Sequence, residues 1–238
     1  AEREILAPYR DRLPPEVFTQ VYEPPSTDGS GNNRANLRSA IRLLKEAGWT
    51  FQERTLVHGE TGEPFEFEIL LVNPMFERVT LPFVRNLERL GIEARVRVVD
   101  ATQYQNRLDN FDFDMVVGAV GQSLSPGNEQ HNMWHSSQAD VPGSNNLAGV
   151  RDPVVDALVE KLIRSPDRET LVNRTRALDR VLLWGHYVIP HWHIAHYRVA
   201  YWDKFERPAV APRYDLGFDT WWVDPDKARA LRERRTGE

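Results

Sequence analysis

The chain has 238 residues, 41% of them hydrophobic and 27% charged, enough to build the core of one large or two small soluble domains. A net charge of -5 excludes a general nucleic-acid surface, which needs a basic excess, and no stretch reaches the roughly 18 consecutive apolar residues of a membrane span. Cysteine is absent, which removes disulfides, thiol nucleophiles and thiolate metal sites and leaves the compartment open.

Residues 1–33 carry Pro8, Pro14, Pro15, Pro24 and Pro25, then a run of turn formers from Ser26 to Asn33; this lead is no independent domain. It starts Ala1-Glu2-Arg3-Glu4, which is not a signal peptide, and a leader is expected upstream. From Asn33, placed to cap a helix, Leu37, Ile41 and Leu44 share one helical face, and Gly48 stands where a left-handed C-terminal cap belongs. A hairpin is predicted next, Thr55 to His58 against Phe65 to Val72, joined through Gly59 to Pro64. A helix from about Phe76 to Leu90 ends at Gly91. Ile92, Ala94, Val96 and Val98 then alternate with Glu93, Arg95 and Arg97 as a strand. Strand, helix and strand predict a right-handed crossover between two parallel strands. A short helix near Ala101 to Leu108 and a strand from Asp112 to Val117 follow.

Gly118 to Arg151 show neither helical nor strand period. A loop of that length inside a domain is either disordered or a binding element. This one is expected to be ordered, because Trp134, Met133, His131 and His135 are set among Gln122, Asn128, Gln130, Asn145 and Asn146. Two helices are predicted after it, one opening at Asp152-Pro153 with Val155, Leu158 and Leu162 on a face, the other at Ser165-Pro166 with Leu171, Leu178 and Leu182. Beyond Gly185 the aromatic runs Tyr187 to His193 and Val199 to Trp202 look strand-like, with a boundary near His196 to Val199. The last forty residues lack the apolar periodicity to fold alone, and Lys227 to Arg235 read as one helix with a solvated basic face.

Several strings, in order, carry a resemblance: Leu43-Leu44-Lys45-Glu46-Ala47-Gly48-Trp49, Phe113-Asp114-Met115, Gly143-Ser144-Asn145-Asn146-Leu147-Ala148-Gly149, Asp152-Pro153-Val154-Val155-Asp156-Ala157-Leu158 and Ala200-Tyr201-Trp202-Asp203-Lys204-Phe205. Together the sequence resembles the C-terminal half of the family 5 extracellular solute-binding proteins, which serve peptide and nickel ABC importers. Gly121 to Gln130 look most like the Yej-type oligopeptide and microcin C branch. The resemblance implies an α/β fold, a mixed sheet flanked by helices forming one lobe of a class II periplasmic-binding-protein fold. Residues 1–198 would be the C-terminal lobe, and residues 199–238 a tail that returns to the N-terminal lobe. It further implies a fragment of a periplasmic receptor that clamps a peptide or peptide-like ligand between lobes and hands it to ABC permease subunits in the inner membrane, with no cofactor.

An extended peptide is held well by main-chain pairing, neutral amides and aromatic surfaces. Asn145 and Asn146, each able to donate and accept, are therefore the first candidates for ligand contact, set against the plainer reading that both cap local turns. Trp134 is a candidate wall of the slot, though a Trp is more often core. Gln122 and Ser123 fall where dipeptide-binding relatives carry an Asp that neutralises the peptide amino terminus; its absence favours longer or blocked peptides, with Glu129 a substitute. The rival reading is a nickel- or zinc-binding protein built on His131 and His135 and on His191, His193 and His196. In that reading His131-Asn132-Met133-Trp134-His135 lies in a loop and lacks the Glu of a metalloprotease helix, while on a strand His196 would point away from His191 and His193. No metal site is predicted, and His193 is kept as a ligand-lining candidate. No catalytic motif is present, so no enzyme is expected. A protein-interaction domain acting through the Trp-rich tail is a third reading.

Overall fold

With three prolines among them, the first twenty residues gain order only by burying side chains against later helices. The computed structural model describes residues 1–194, 196–212 and 215–236. In it the lead forms α1 (Glu2–Leu6), a 3-10 turn at Ala7–Tyr9 and α2 (Glu16–Thr19). Leu6, Leu13, Val17 and Phe18 are buried. The predicted helix after Asn33 is present as α3 (Arg34–Glu46), and Gly48 has the left-handed φ of 89° expected after its end. Asn33 does not cap it; its side-chain oxygen accepts from Asn36 Nδ2 at 2.9 Å instead.

The predicted hairpin has a different partner. Strand β1 (Trp49–Gln52) pairs antiparallel with β2 (Thr55–His58), Trp49 opposite His58 and Gln52 opposite Thr55. Glu53, at φ 55°, turns the chain back early. The Phe65 side keeps two main-chain bonds to β2, Phe65 N–H to the Leu56 carbonyl and His58 N–H to the Glu63 carbonyl, at 2.9 and 2.8 Å. Phe65 also stacks on Trp49 at 4.4 Å between centroids. Beyond it the chain leaves for another sheet, built from β3 (Glu66–Leu71), then α4 (Glu77–Glu88), β4 (Glu93–Val98), α5 (Ala101–Asp109) and β5 (Met115–Val116).

That sheet has the order β4-β3-β5 and is parallel throughout. The parallel and antiparallel pairings anticipated in one mixed sheet are distributed over separate sheets. Ile69, Leu71 and Ala94 pack with Val84 of α4 on one face. By strand alternation the opposite face carries Glu66, Glu68, Arg95 and Arg97, where Arg107 reaches Glu68 at 2.8 Å. The strand predicted from Asp112 shrinks to two residues for a local reason. Asp114 Oδ2 accepts the Glu68 N–H at 2.8 Å, and Arg107 Nε donates to the Asp112 carbonyl at 2.8 Å, so side chains replace main-chain partners just ahead of Met115.

The stretch predicted as loop contains a helix, α6 (Glu129–Trp134), followed by a 3-10 turn at Ser136–Gln138. Then come α7 (Pro153–Ile163) and α8 (Arg168–Trp184). Asp152 caps α7 by accepting the Val154 N–H at 2.7 Å. The cap of α8 is Asp167, which accepts the Thr170 N–H at 2.7 Å, and not Ser165, whose own N–H still bonds the Leu162 carbonyl of the preceding helix. Val154, Val155, Leu158, Val159 and Leu162 meet Ala177, Leu178 and Val181 and the buried residues of the lead in the largest of the cores. Arg180 fastens the lead further by donating to the carbonyls of Val17 and Gln20.

The chain divides into two compact units, Ala1–Ile189 and Pro190–Glu238. In the second, β6 (Phe205–Glu206) pairs antiparallel with β7 (Trp222–Val223), and α9 (Pro225–Thr236) follows as the predicted basic helix. Tyr201, Phe205, Phe218 and Trp221 form an aromatic cluster with centroid separations of 4.8 to 6.4 Å. The runs Tyr187 to His193 and Val199 to Trp202, predicted as strand-like, form no strand. They have β propensity but no pairing partner, and Trp192 and Trp202 remain 61% and 58% exposed.

Candidate functional site

The register sets Leu71 beside Val98 and Leu70 beside Val116, so β3, β4 and β5 end on one edge of the sheet. The carboxyl edge of an open parallel sheet is where ligand crevices form. Val72, Met75, Val98 and Val120, all at or just past these strand ends, are exposed large hydrophobic residues, Met75 by 70%. Sequence reasoning read Val72 and Val98 only as strand residues and did not single out Met75; the signal was an apolar residue running past the strand end into the Asn73-Pro74 turn. From the same edge Gly118 leads into the amide-rich stretch.

That stretch is ordered by side-chain amides gathered around α6. Gln130 is buried, and its Nε2 donates to Gln122 Oε1 at 2.6 Å and to Glu129 Oε1 at 3.3 Å. Gln122 Nε2 in turn lies 3.4 Å from Met133 Sδ. Asn132, which sequence reasoning did not single out, accepts the Asn145 N–H on its Oδ1 at 3.4 Å. Farther along, Arg168 of α8 donates to the carbonyl of Leu124. Helix α6 thus ties the Gln122 segment to the Asn145 segment.

The structure treats the two first-choice asparagines differently. Asn145 is exposed between buried Ser144 and buried Asn146, so the loop presents its amide to solvent. Asn146 is fully buried. Its Oδ1 accepts the Val150 N–H at 2.8 Å, and its Nδ2 donates to the carbonyls of Val150 and His135 at 3.0 and 3.1 Å. For Asn146, expected to contact a ligand, both ends of the amide are engaged by the loop.

Of the other predicted residues, Trp134 is partly buried against the helical core, the more common fate of a Trp. Ser123 Oγ accepts the Ser125 N–H at 3.1 Å in a local turn. Glu129 Oε1 accepts the Gly127 N–H at 2.8 Å. That bond holds its carboxyl below the ordinary range against the opposing effect of burial. The support it gives the loop is therefore present at neutral pH and is lost as acid protonates it. His193 is exposed and belongs to the second unit.

His131 and His135 lie on and just after α6, not in a loop, and their rings stack at 4.3 Å. His191, without the strand assumed for it, stacks on Trp192 at 5.2 Å. Among the described residues no three His, Asp or Glu side chains are grouped to hold a metal ion. We expect protein purified without an affinity tag to carry no stoichiometric zinc or nickel in elemental analysis. One equivalent of tightly held metal, lost in a His191→Ala, His193→Ala variant, would revive the metal reading.

The parallel sheet runs on from the end of β5 into an ordered segment lined by amides. Residues 9–141 match the bacterial extracellular solute-binding proteins, family 5, in its middle region, and the chain belongs to that family. It is 46% identical over 222 residues to the probable peptide-binding protein YejA of Agrobacterium fabrum, covering 93% of this chain and 36% of that protein. It is 38% identical over 223 residues to the peptidoglycan-binding protein YepA of the same organism, again covering 93% and 36%. The fold is similar to that of the oligopeptide-binding protein AppA of Bacillus subtilis, solved with a nonapeptide, with a TM-score of 0.60 at 18% identity over 94% of this chain and 45% of that one. The chain spans about a third of the length of the curated relatives it matches, 36% in both cases given. These relatives are named as binding proteins and not as enzymes.

Proposed function

We propose that this chain is the C-terminal lobe of the substrate-binding component of an ABC importer, a binding part with no catalytic step. It takes oligopeptides or peptide-like compounds in the periplasm for delivery to the membrane permease. The N-terminal lobe closes over the ligand from the other side, and the tail from Val199 returns to it. The observation that carries this reading is the exposed amide of Asn145, whose N–H bonds Asn132 of α6, the helix that also holds Gln122 through Gln130. Neutral amides bond a peptide backbone without choosing its side chains. The exposed Met75 and Val72 add apolar surface of the kind that side chains seek.

A peptidoglycan-derived peptide is a second reading, favoured by the relative named for peptidoglycan binding. Mass spectrometry of ligands that copurify with the receptor separates the two, since amino-sugar masses mark the second. A lobe that binds alone lacks the contacts of closure, so calorimetry should give the 238-residue chain roughly millimolar affinity at best for peptides that the receptor holds tightly. Micromolar binding by the chain alone would make it a complete binding module and overturn the clamp.

A further inference from the structure

One peptide unit at the end of α6 is held from both sides. The carbonyl of His135 accepts from Asn146 Nδ2 at 3.1 Å, and the N–H of the same unit, on Ser136, donates to Asp156 Oδ1 at 2.7 Å. The Ser136 hydroxyl donates to the other oxygen of Asp156. Asp156 stands on α7, whose neighbours Val155 and Leu158 are fully buried, so one grip is anchored in the helical core. The other is anchored by Asn146, itself fixed to Val150 by two bonds. Helix α6 joins these grips to the candidate ligand face, carrying Gln130 and Met133 toward Gln122 and Asn132 toward Asn145, and Asn146 is itself the chain neighbour of Asn145.

We infer that Asp156 and Asn146 are positioning residues: by clamping the His135–Ser136 peptide they fix α6, and through it the amides of Gln122 and Asn145 that meet the ligand. This rests on the proposed reading of that face as the ligand site. A six-residue helix has too few internal bonds to hold itself in place, so its orientation is set from outside, by these two grips together with the packing of Trp134 against the helical core. Pre-organised contacts of this kind raise affinity by removing ordering that binding would otherwise require.

The substitution Asp156→Asn keeps an oxygen for the Ser136 N–H, while its amide donates to the Ser136 hydroxyl, which turns from donor to acceptor. Asp156→Ala removes both contacts. The test is capture by the whole receptor of an equimolar mixture of random-sequence pentapeptides, quantified by mass spectrometry after gel filtration, together with the thermal midpoint of each variant. Asp156→Ala should lower the amount retained roughly tenfold, the weight of one or two hydrogen bonds, and Asp156→Asn should restore most of it. Asn145→Ala, at an exposed position, should weaken capture with an unchanged midpoint. If Asn145→Ala captures normally, the ligand-face reading fails and the positioning role falls with it. If Asn145→Ala weakens capture but Asp156→Ala does not, the positioning role alone is overturned. Should Asp156→Ala fail to fold, Ser136→Ala, which deletes only the hydroxyl contact, takes its place: it should reduce capture by roughly threefold, half the effect in free energy, and normal capture overturns the clamp.

Discussion

Gly91→Ala should destabilise the first unit by about 3 kcal/mol or more, whereas Gly62→Ala should cost only about 1 kcal/mol. Both glycines sit at positive φ, 75° and 74°, so both substitutions carry the same conformational penalty. The difference is space. A Cβ on Gly91 would lie 2.8 Å from the backbone nitrogen of Leu56 and 2.9 Å from the Arg54 carbonyl oxygen, while at Gly62 nothing comes within 4 Å. Backbone cannot swing aside as a side-chain tip can. The β1–β2 hairpin would have to move off the end of α4, stretching the 2.8 Å bond from Leu56 N–H to the Gly91 carbonyl. Urea unfolding of both variants, compared at equal m-value, reads the difference; equal losses would mean that the hairpin shifts freely and that this packing is loose.

Leu6→Ala should cost about 2–5 kcal/mol, the range for truncating a buried leucine, although Leu6 stands in a short helix at the start of the chain. Its side chain is fully buried in the core that holds Leu158, Leu162 and Leu178. Leu43→Ala, at a residue 55% exposed, should change stability by no more than about 0.5 kcal/mol. Because Leu6 and Leu158 belong to one cluster, the double substitution should not be the sum of the singles. A Leu6→Ala variant as stable as the parent would show that the lead rests on the helices without supporting them. Differential scanning calorimetry of Leu6→Ala, Leu158→Ala, their double substitution and Leu43→Ala decides it.

What the sequence made legible was set by length and period. Helices α3 and α7 announce themselves through apolar residues on one face and, for α7, an Asp-Pro start whose cap bond is present. Helix α6 spans six residues, too few for a period to emerge, so its sequence carries no helical signal. The Ser165-Pro166-Asp167 run offers two capping side chains, and only the hydrogen bonds show that Asp167 is the one used. The pairing of β2 with β1 was not legible because its turn at Glu53 is marked by neither Gly nor Pro. At the candidate site the amide-rich composition was legible, but the division of labour was not. Asn145 and Asn146 are adjacent and chemically identical; which one is exposed depends on how the turn between Ser144 and Val150 closes, a matter of three-dimensional bonding that no spacing rule encodes.

The borders of the parallel sheet bear on how the protein behaves when crowded. One border is β4, whose Arg95 and Glu93 are charged and paired with each other at 2.7 Å; the other is β5, only two residues long. Neither offers an incoming strand a long, flat, apolar template. Fibrous aggregation seeded on this sheet is thereby discouraged at both ends, so the chain can be concentrated or refolded without these strands recruiting copies of themselves.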